Sequence, residues 1–224
     1  MDRLATFGVG DFVHIERSGR KVTDQDRVFE HAECDFESHY GKAKLHVFSF
    51  GPHEEDNILC ISVGSQQDTL LVRVQSACYT AEIFRATDCD CHEQLHSSLK
   101  MVYKEGGLLV YMICDGRGAG LLTKIRGLAL GDSEGLDTFD AYHRLQVDPD
   151  PRDYTRVVSV LKWFEPKRLA LLTNNPRKLA GIAELGVPVE HRSLQIEPTD
   201  GSRSYLNTKR LKFGHLLDSE MFDM

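Results

Sequence analysis

Three cysteines in one short stretch, Cys78-x10-Cys89-x-Cys91, have the types and the spacing to do chemistry. Thiolates are zinc ligands. Three of them with no evident fourth partner leave one coordination position open, as in a catalytic rather than a closed structural site. A metal held that way makes water nucleophilic near neutral pH, which is what a hydrolase requires. Two other readings fit the same spacing: buried free cysteines without a metal, and a closed site completed by a histidine. For the closed site, His92 follows Cys91 too directly, whereas His96 stands about one helical turn further on. The Cys-x-Cys also lies where a helix begins, and a helix N-terminus favours thiolates.

Three further segments carry candidate anion-binding groups. Asp115-Gly-Arg117-Gly-Ala-Gly120 joins a strand to a helix and can turn backbone N–H groups toward an anion. Its glycine spacing is not that of a dinucleotide-binding turn. Arg117 inside it has a fork that matches phosphate or carboxylate. Val147-Asp-Pro-Asp150-Pro-Arg152-Asp153 holds Asp150 and Arg152 between prolines that stiffen the backbone and fix where the side chains project; a solvated turn leading into a helix cap has the same composition. Thr173-Asn-Asn-Pro-Arg-Lys178 places a hydroxyl, an ammonium and helix N-terminal amides together, although a well-capped helix reads identically.

The elements that must position these groups follow from periodicity. Residues 1–40 read as a polar, irregular N-terminal extension. Alternating apolar runs at 44–50, 57–63 and 69–75, separated by turn residues, predict three strands that neighbour one another antiparallel. Leu95, Leu99, Val102 and Tyr103 recur at helical spacing, and Gly106-Gly107 stops that helix. A short strand at 108–113 follows, then a helix from Leu121 ending near Gly131. A third helix is capped by Asp153, a strand at 168–172 leads into the helix after Pro176, a strand spans 187–194, and a closing helix spans 205–217. The mixed order predicts an α+β fold: a mixed sheet closing toward a barrel, flanked by helices, in one domain over 1–224.

Composition sets the outer limits. The chain has 224 residues, 41% hydrophobic and 27% charged, ordinary for a globular protein that buries a core without disulfides. No apolar run approaches the length of a membrane span. The first residues lack the pattern of a secretory signal, so a cytoplasmic location with reduced thiols is expected, and the six cysteines read as core residues and ligands. A net charge of −7 argues against a nucleic-acid partner but is compatible with a small polyanionic substrate held by a few local Arg and Lys residues.

Taken together and in this order, the segments resemble the GTP cyclohydrolase II family of riboflavin biosynthesis across residues 40–217. The words that carry the resemblance are the cysteine box, Asp115-Gly-Arg117, Lys124-Ile-Arg126, Leu136-Asp-Thr138, Arg152-Asp-Tyr154, Leu171-Leu-Thr-Asn-Asn-Pro176 and Gly214-His-Leu-Leu217. The resemblance implies a homodimeric hydrolase that uses Zn2+ and Mg2+ to open the imidazole ring of guanine in GTP, release C8 as formate and remove pyrophosphate. It implies Cys78, Cys89 and Cys91 as zinc ligands. Arg73, Ser76, Gln94, Asp115, Arg117, Thr138, Thr173 and Lys178 would contact substrate. Asp150 would be the proton acceptor, and Arg152 the arginine proposed to attack the α-phosphorus. An arginine stays protonated, so stabilising charge on the phosphoryl group suits Arg152 equally well.

Several family positions differ. The family's Arg-Val-His-Ser-Glu-Cys reads here with Gln75 and Ala77, and its Gln-Glu-Gly-Arg with Cys114 and Asp115. The arginine before Cys-Asp-Cys is Asp88, the glycine after it is His92, and the tyrosine that acts in ring opening is Leu128. Leucine can neither donate nor accept a proton. These departures mark a diverged member. They leave open GTP or a related nucleotide as substrate, an arrested formylamino-pyrimidine product, a different base such as uracil, or a nucleotide-binding protein without turnover.

Overall fold

Seven strands hydrogen-bond into one mixed sheet in the order β1-β2-β3-β5-β4-β6-β7. The computed structural model describes residues 30–64 and 68–222. Strands β1 (Glu30–Ser38), β2 (Gly41–Ser49), β3 (Asn57–Val63) and β5 (Gly107–Met112) pair antiparallel with one another in that order. Strands β4 (Leu70–Ser76), β6 (Leu169–Leu172) and β7 (Val189–Arg192) complete a parallel half in which β5 also takes part. Helices flank the sheet: α1 (Tyr79–Glu82), α2 (Cys91–Glu105), α3 (Leu121–Glu134), α4 (Thr138–Arg144), α5 (Thr155–Trp163), α6 (Pro176–Ala183) and α7 (Arg203–Phe213). The α+β class is as expected; the strand order is linear, with β1 and β7 at the two edges.

Three expectations need correction. Residues 30–38, read as irregular, form β1, because Ala32, Cys34 and Phe36 alternate with polar residues and pair in register with Val47, Leu45 and Ala43 of β2. Residues 1–29 of the expected N-terminal extension lie outside the described residues. The strand at 70–76 is not an antiparallel neighbour of β3; β5 inserts between them, so β4 is parallel to both β5 and β6. Helix α3 runs past Gly131 to a left-handed cap at Gly135, and α4 was not anticipated at all.

The burial of the strands explains their sequences. Central strand β4 is covered on both faces, so it reads as a near-continuous apolar run. Its period of two sends Val72 and Val74 into the larger core, with Val110, Leu161, Leu171 and Ile182, on the side of α5 and α6. Leu71 points to the opposite face, with Leu109, Leu172 and Val102 of α2. Gly107 is required where α2 turns back into β5: its φ is +136°, and a Cβ there would lie 2.3 Å from the Leu71 carbonyl.

This parallel half sets the location of the site. Strands β4 and β5 end side by side at Ser76 and Met112, and β6 ends beside them at Leu172, level with Arg73. The loops that leave those ends begin with Ala77-Cys78, Cys114-Asp115 and Thr173-Asn174. In open α/β sheets the crevice beyond the carboxyl ends of parallel strands is the usual ligand position.

Candidate active site

A cleft opens at that place, lined by Ser76, Ala77, Cys78, Cys89 and Cys91 on one wall and by Arg117, Thr138, Arg152, Thr173 and Lys178 on others. Arg73, Gln94 and Asp115 line it as well, so the three cysteines of the Cys78–Cys91 box and all the predicted substrate-contacting residues meet in one cavity. Asp150 does not line it. Its carboxylate lies behind Arg152, accepting from Nε at 2.6 Å and Nη2 at 2.7 Å, with Arg177 3.7 Å away. Burial alone would raise the Asp150 carboxyl, but these two guanidinium groups hold it below the usual carboxylate range. Arg152 is thereby fixed, and its Nη1 reaches Ser76 Oγ at 3.4 Å.

The three cysteine sulfurs come from the end of β4, the loop after α1 and the first residue of α2, and lie within 4.8 Å of one another. Cys78 and Cys89 Sγ are 3.9 Å apart. Zinc–sulfur bonds of about 2.3 Å on a tetrahedron put ligands about 3.8 Å apart, so the set suits zinc. Hydrogen bonds from Cys89 and Cys91 concentrate thiolate character on Cys78, whose pKa falls, while Cys89 is pushed up to about 12. Such crowding of thiols around one thiolate is relieved when a metal replaces their protons. His96, the candidate for closing the site, turns away: its Nδ1 meets the Tyr40 hydroxyl at 2.5 Å and its ring stacks on His92. Among the described residues no His, Asp or Glu joins the cysteine cluster, leaving a three-thiol site.

Lys124 is a site residue that periodicity missed. From α3 its Nζ donates to Cys78 Sγ at 3.2 Å and to Asp115 Oδ1 at 2.9 Å. Burial would lower this ammonium, yet the Cys78 thiolate and Asp115 hold it above its ordinary value. Asp115 is fully engaged, since its other contacts are the N–H groups of Gly116 at 2.5 Å and Tyr79 at 2.8 Å. It therefore braces the cysteine loop rather than presenting a free carboxylate.

Around the cysteines the cleft is cationic despite the chain's net negative charge. Arg73 is buried on β4 and donates to Gln75 Oε1 at 2.7 Å, Gln94 Oε1 at 2.7 Å and the Leu172 carbonyl at 3.1 Å. Its pKa is lowered to about 10 by burial, an effect the more distant Asp90 and Cys91 only partly offset. Lys178 is buried at the first turn of α6, donates to the Val74 carbonyl at 2.7 Å, and is held well below its ordinary pKa by burial and by Arg73 and Arg152. Asn175 caps that helix by accepting from Arg177 N at 2.9 Å.

Arg117 sits in the left-handed region at φ 56° and lays its guanidinium 4.2 Å over the Phe213 ring, with Nη2 3.3 Å from Thr138 Oγ1. Next to it, Gly118 at φ +89° lets the loop lie on Arg152, since a Cβ there would come 3.3 Å from Arg152 Cγ. Thr138 opens α4, whose cap is Asp137, accepting from the N–H groups of Phe139 and Asp140 at 3.0 Å. That capping residue ahead of Phe139, Ala141 and Tyr142 was the sequence signal for α4.

The C-terminal part closes the cleft. Leu216 N donates to the Asn174 carbonyl at 2.8 Å, which brings His215 and Leu217 into the lining. Lys209 on α7 pairs with Asp90 of the Cys-Asp-Cys run at 2.9 Å. Leu128 and Asp88, two of the divergent positions, face the same cavity.

The cleft thus sets Arg73, Arg117, Arg152 and Lys178 beside three cysteine sulfurs spaced as zinc ligands would be. Residues 30–193 match the family model for GTP cyclohydrolase II, and the chain belongs to that family. It is 34% identical over 207 residues to the riboflavin biosynthesis protein RibBA of Staphylococcus haemolyticus, covering 92% of this chain and 52% of that one. The RibBA of Staphylococcus aureus is 35% identical over 199 residues (88% and 50%), and that of Chlorobium phaeovibrioides 36% over 188 residues (83% and 46%). The chain thus spans about half the length of these curated relatives. Among solved structures, RibBX, a two-domain 3,4-dihydroxy-2-butanone 4-phosphate synthase from A. baumannii, aligns over 74% of this chain and 39% of its own at a TM-score of 0.42 and 14% identity. No helix of the described residues is long and apolar enough to cross a membrane.

Proposed function

We propose that this chain is a zinc-dependent cyclohydrolase that opens the base ring of GTP or a closely related nucleotide. The observation that carries the reading is the convergence of the three cysteine sulfurs with Arg73, Arg117 and Lys178, cations to which no carboxylate of the described residues is hydrogen-bonded, in one cleft. Zinc held by Cys78, Cys89 and Cys91 would supply activated water for addition to C8, the carbon between two nitrogens of the imidazole ring. Arg117, Arg152 and Lys178 neutralise the phosphates, with Mg2+ arriving on the phosphates themselves. The aromatic, hydroxyl and carbonyl partners of Arg117 and Lys178 fix them without a counter-charge, so both remain available to an anion. Arg152, locked by Asp150, stabilises charge at a phosphoryl group. Asp150 accepts a proton only after the substrate draws Arg152 away from it. The exposed Leu121, Leu122 and Ile125 of α3 give a second copy of the chain an apolar face to cover.

A second reading concerns the product. Leu128 lines the cleft at the position where the family carries its ring-opening tyrosine, and it offers no proton. Ring opening would then halt at a formylamino-pyrimidine, with formate retained. Incubating the zinc-loaded protein with GTP, and following formate separately from the loss of guanine absorbance, tests both readings. Absorbance loss without formate supports the arrested product, whereas stoichiometric formate rules it out. No change with GTP or with a panel of other nucleotides, including a uracil nucleotide, would overturn the cyclohydrolase assignment in favour of a binding protein.

A further inference from the structure

Far from the cysteine cleft, the β1–β2 ribbon carries a second convergence of ligand-type atoms. His31 and Glu33 are two residues apart on β1, so the strand period puts both on one face. His46 of β2 is the cross-strand partner of Glu33, on the same face. None of the three lines the cleft. Their donor atoms form a triangle: His31 Nε2 to His46 Nδ1 is 3.3 Å, His46 Nδ1 to Glu33 Oε2 is 3.2 Å, and His31 Nε2 to Glu33 Oε2 is 4.0 Å. Bonds of about 2.1 Å from nitrogen and oxygen to a tetrahedral ion place donors about 3.4 Å apart.

We propose that His31, Glu33 and His46 form a second metal site, for a divalent transition ion of the zinc class. Two imidazoles and one carboxylate suit such an ion, whereas Ca2+ and Mg2+ prefer oxygen sets. The surroundings are those of a metal centre. His46 Nε2 meets Ser62 Oγ at 2.8 Å, so with its proton directed there Nδ1 presents a lone pair to the other two donors. In that tautomer the lone pair faces a carboxylate oxygen, and a cation between the two would satisfy both. Glu33 Oε1, the oxygen not aimed at the histidines, takes Lys44 Nζ at 3.3 Å. The rings are walled by apolar groups: His31 lies 4.6 Å from both the Phe48 and the Trp163 ring, and His46 packs edge-on to Phe164 at 5.3 Å. Glu33 is 41% exposed and His46 only 4%, which leaves an approach from solvent on one side alone. An ion here would fasten edge strand β1 to β2.

Titration of the metal-free, reduced full chain with Co2+ tests this directly. The cysteine site announces itself by thiolate-to-cobalt charge transfer, and a His–His–Glu site by ligand-field absorption without it. Two equivalents are expected, the second lacking charge transfer. His31→Gln and Glu33→Gln should each abolish the second equivalent while keeping the charge-transfer band, which also reports that the variants fold. Ser62→Ala should weaken the second equivalent by about tenfold, as loss of a histidine-orienting partner does. A single equivalent in the parent chain, or a second one that both variants leave unchanged, would overturn the proposal.

Discussion

The ammonium of Lys124 lies 3.2 Å from the Cys78 sulfur, and the same nitrogen is 2.9 Å from Asp115 Oδ1. Three thiolates bring more negative charge than a divalent ion neutralises, and Lys124 is the cation in direct contact with one of them. Removing it by Lys124→Met should raise the cost of ionising Cys78 and weaken zinc binding by about 10- to 100-fold. Competition with a chromophoric chelator measures this. Unchanged affinity would mean that Lys124 serves only to anchor Asp115.

Asp150 makes a pH prediction. Its pKa in the folded chain is depressed, so its ion pair with Arg152 stabilises fully above the unfolded value of about 4 and is lost as pH falls through the lower folded value. Asp150→Asn should cost about 3 kcal/mol at neutral pH, because it leaves the Arg152 charge buried without its counter-ion. The gap between the two proteins should narrow below about pH 4. Urea unfolding across that range reads it, and a gap that stays constant with pH counts against the ion pair as its source.

Arg152 itself should depend on its shape as well as its charge. Asp150 grips it with two parallel hydrogen bonds, a geometry that lysine cannot reproduce. Arg152→Lys should therefore lower turnover by about 10²-fold, the cost of a misplaced reacting group, with a smaller change in nucleotide affinity. Weaker nucleotide affinity with turnover unchanged would assign Arg152 to uniform binding instead.

Much of this site could be seen in the sequence because its parts are local words. Cys78-x10-Cys89-x-Cys91 and Thr173-Asn-Asn-Pro176 each sit at a strand end or a helix start, where spacing and capping chemistry are readable. What could not be read was the order of strands. The alternation in 69–75 reports burial but not its partners, and the insertion of β5 between β3 and β4 is a choice made by tertiary packing. Lys124 and His215 stand in family-like words, but their roles at the cleft escaped for the same reason. Lys124 lies on an ordinary helix and His215 in the segment after α7, and only the fold brings them to the cleft. Asp150 was readable as a site residue, but not as one that reaches the cleft through Arg152.

His215 supplies a second titration. Burial, then the nearby charges of Lys209, Arg152, Lys178 and Arg117, push its imidazole down to about 2 from an ordinary 6.5. Above about pH 6.5 the ring is neutral folded and unfolded, so it adds no pH dependence. Below that, the unfolded chain takes up a proton that the folded chain refuses, and stability falls by up to about 1.4 kcal/mol per pH unit. His215→Asn should remove this slope between about pH 6.5 and 5, in a window separate from that of Asp150. Identical slopes in the two proteins would show that His215 titrates freely.

Leu128 offers the sharpest test of the product. It lines the cleft from α3, one turn beyond Lys124, and so shares the helix face that carries the ammonium to Cys78. A phenol on that face could pass a proton to a departing ring nitrogen, where leucine cannot. If the reaction halts after ring opening for want of that proton, Leu128→Tyr should raise formate release by about 10²-fold, the usual contribution of a positioned acid or base. Loss of guanine absorbance should change far less, because addition at C8 precedes the step the tyrosine serves. Formate and absorbance assays on the same zinc-loaded sample separate the two. A variant that gains no formate while still consuming GTP would place the block elsewhere, with Ala77 and Asp88 as the next positions to restore.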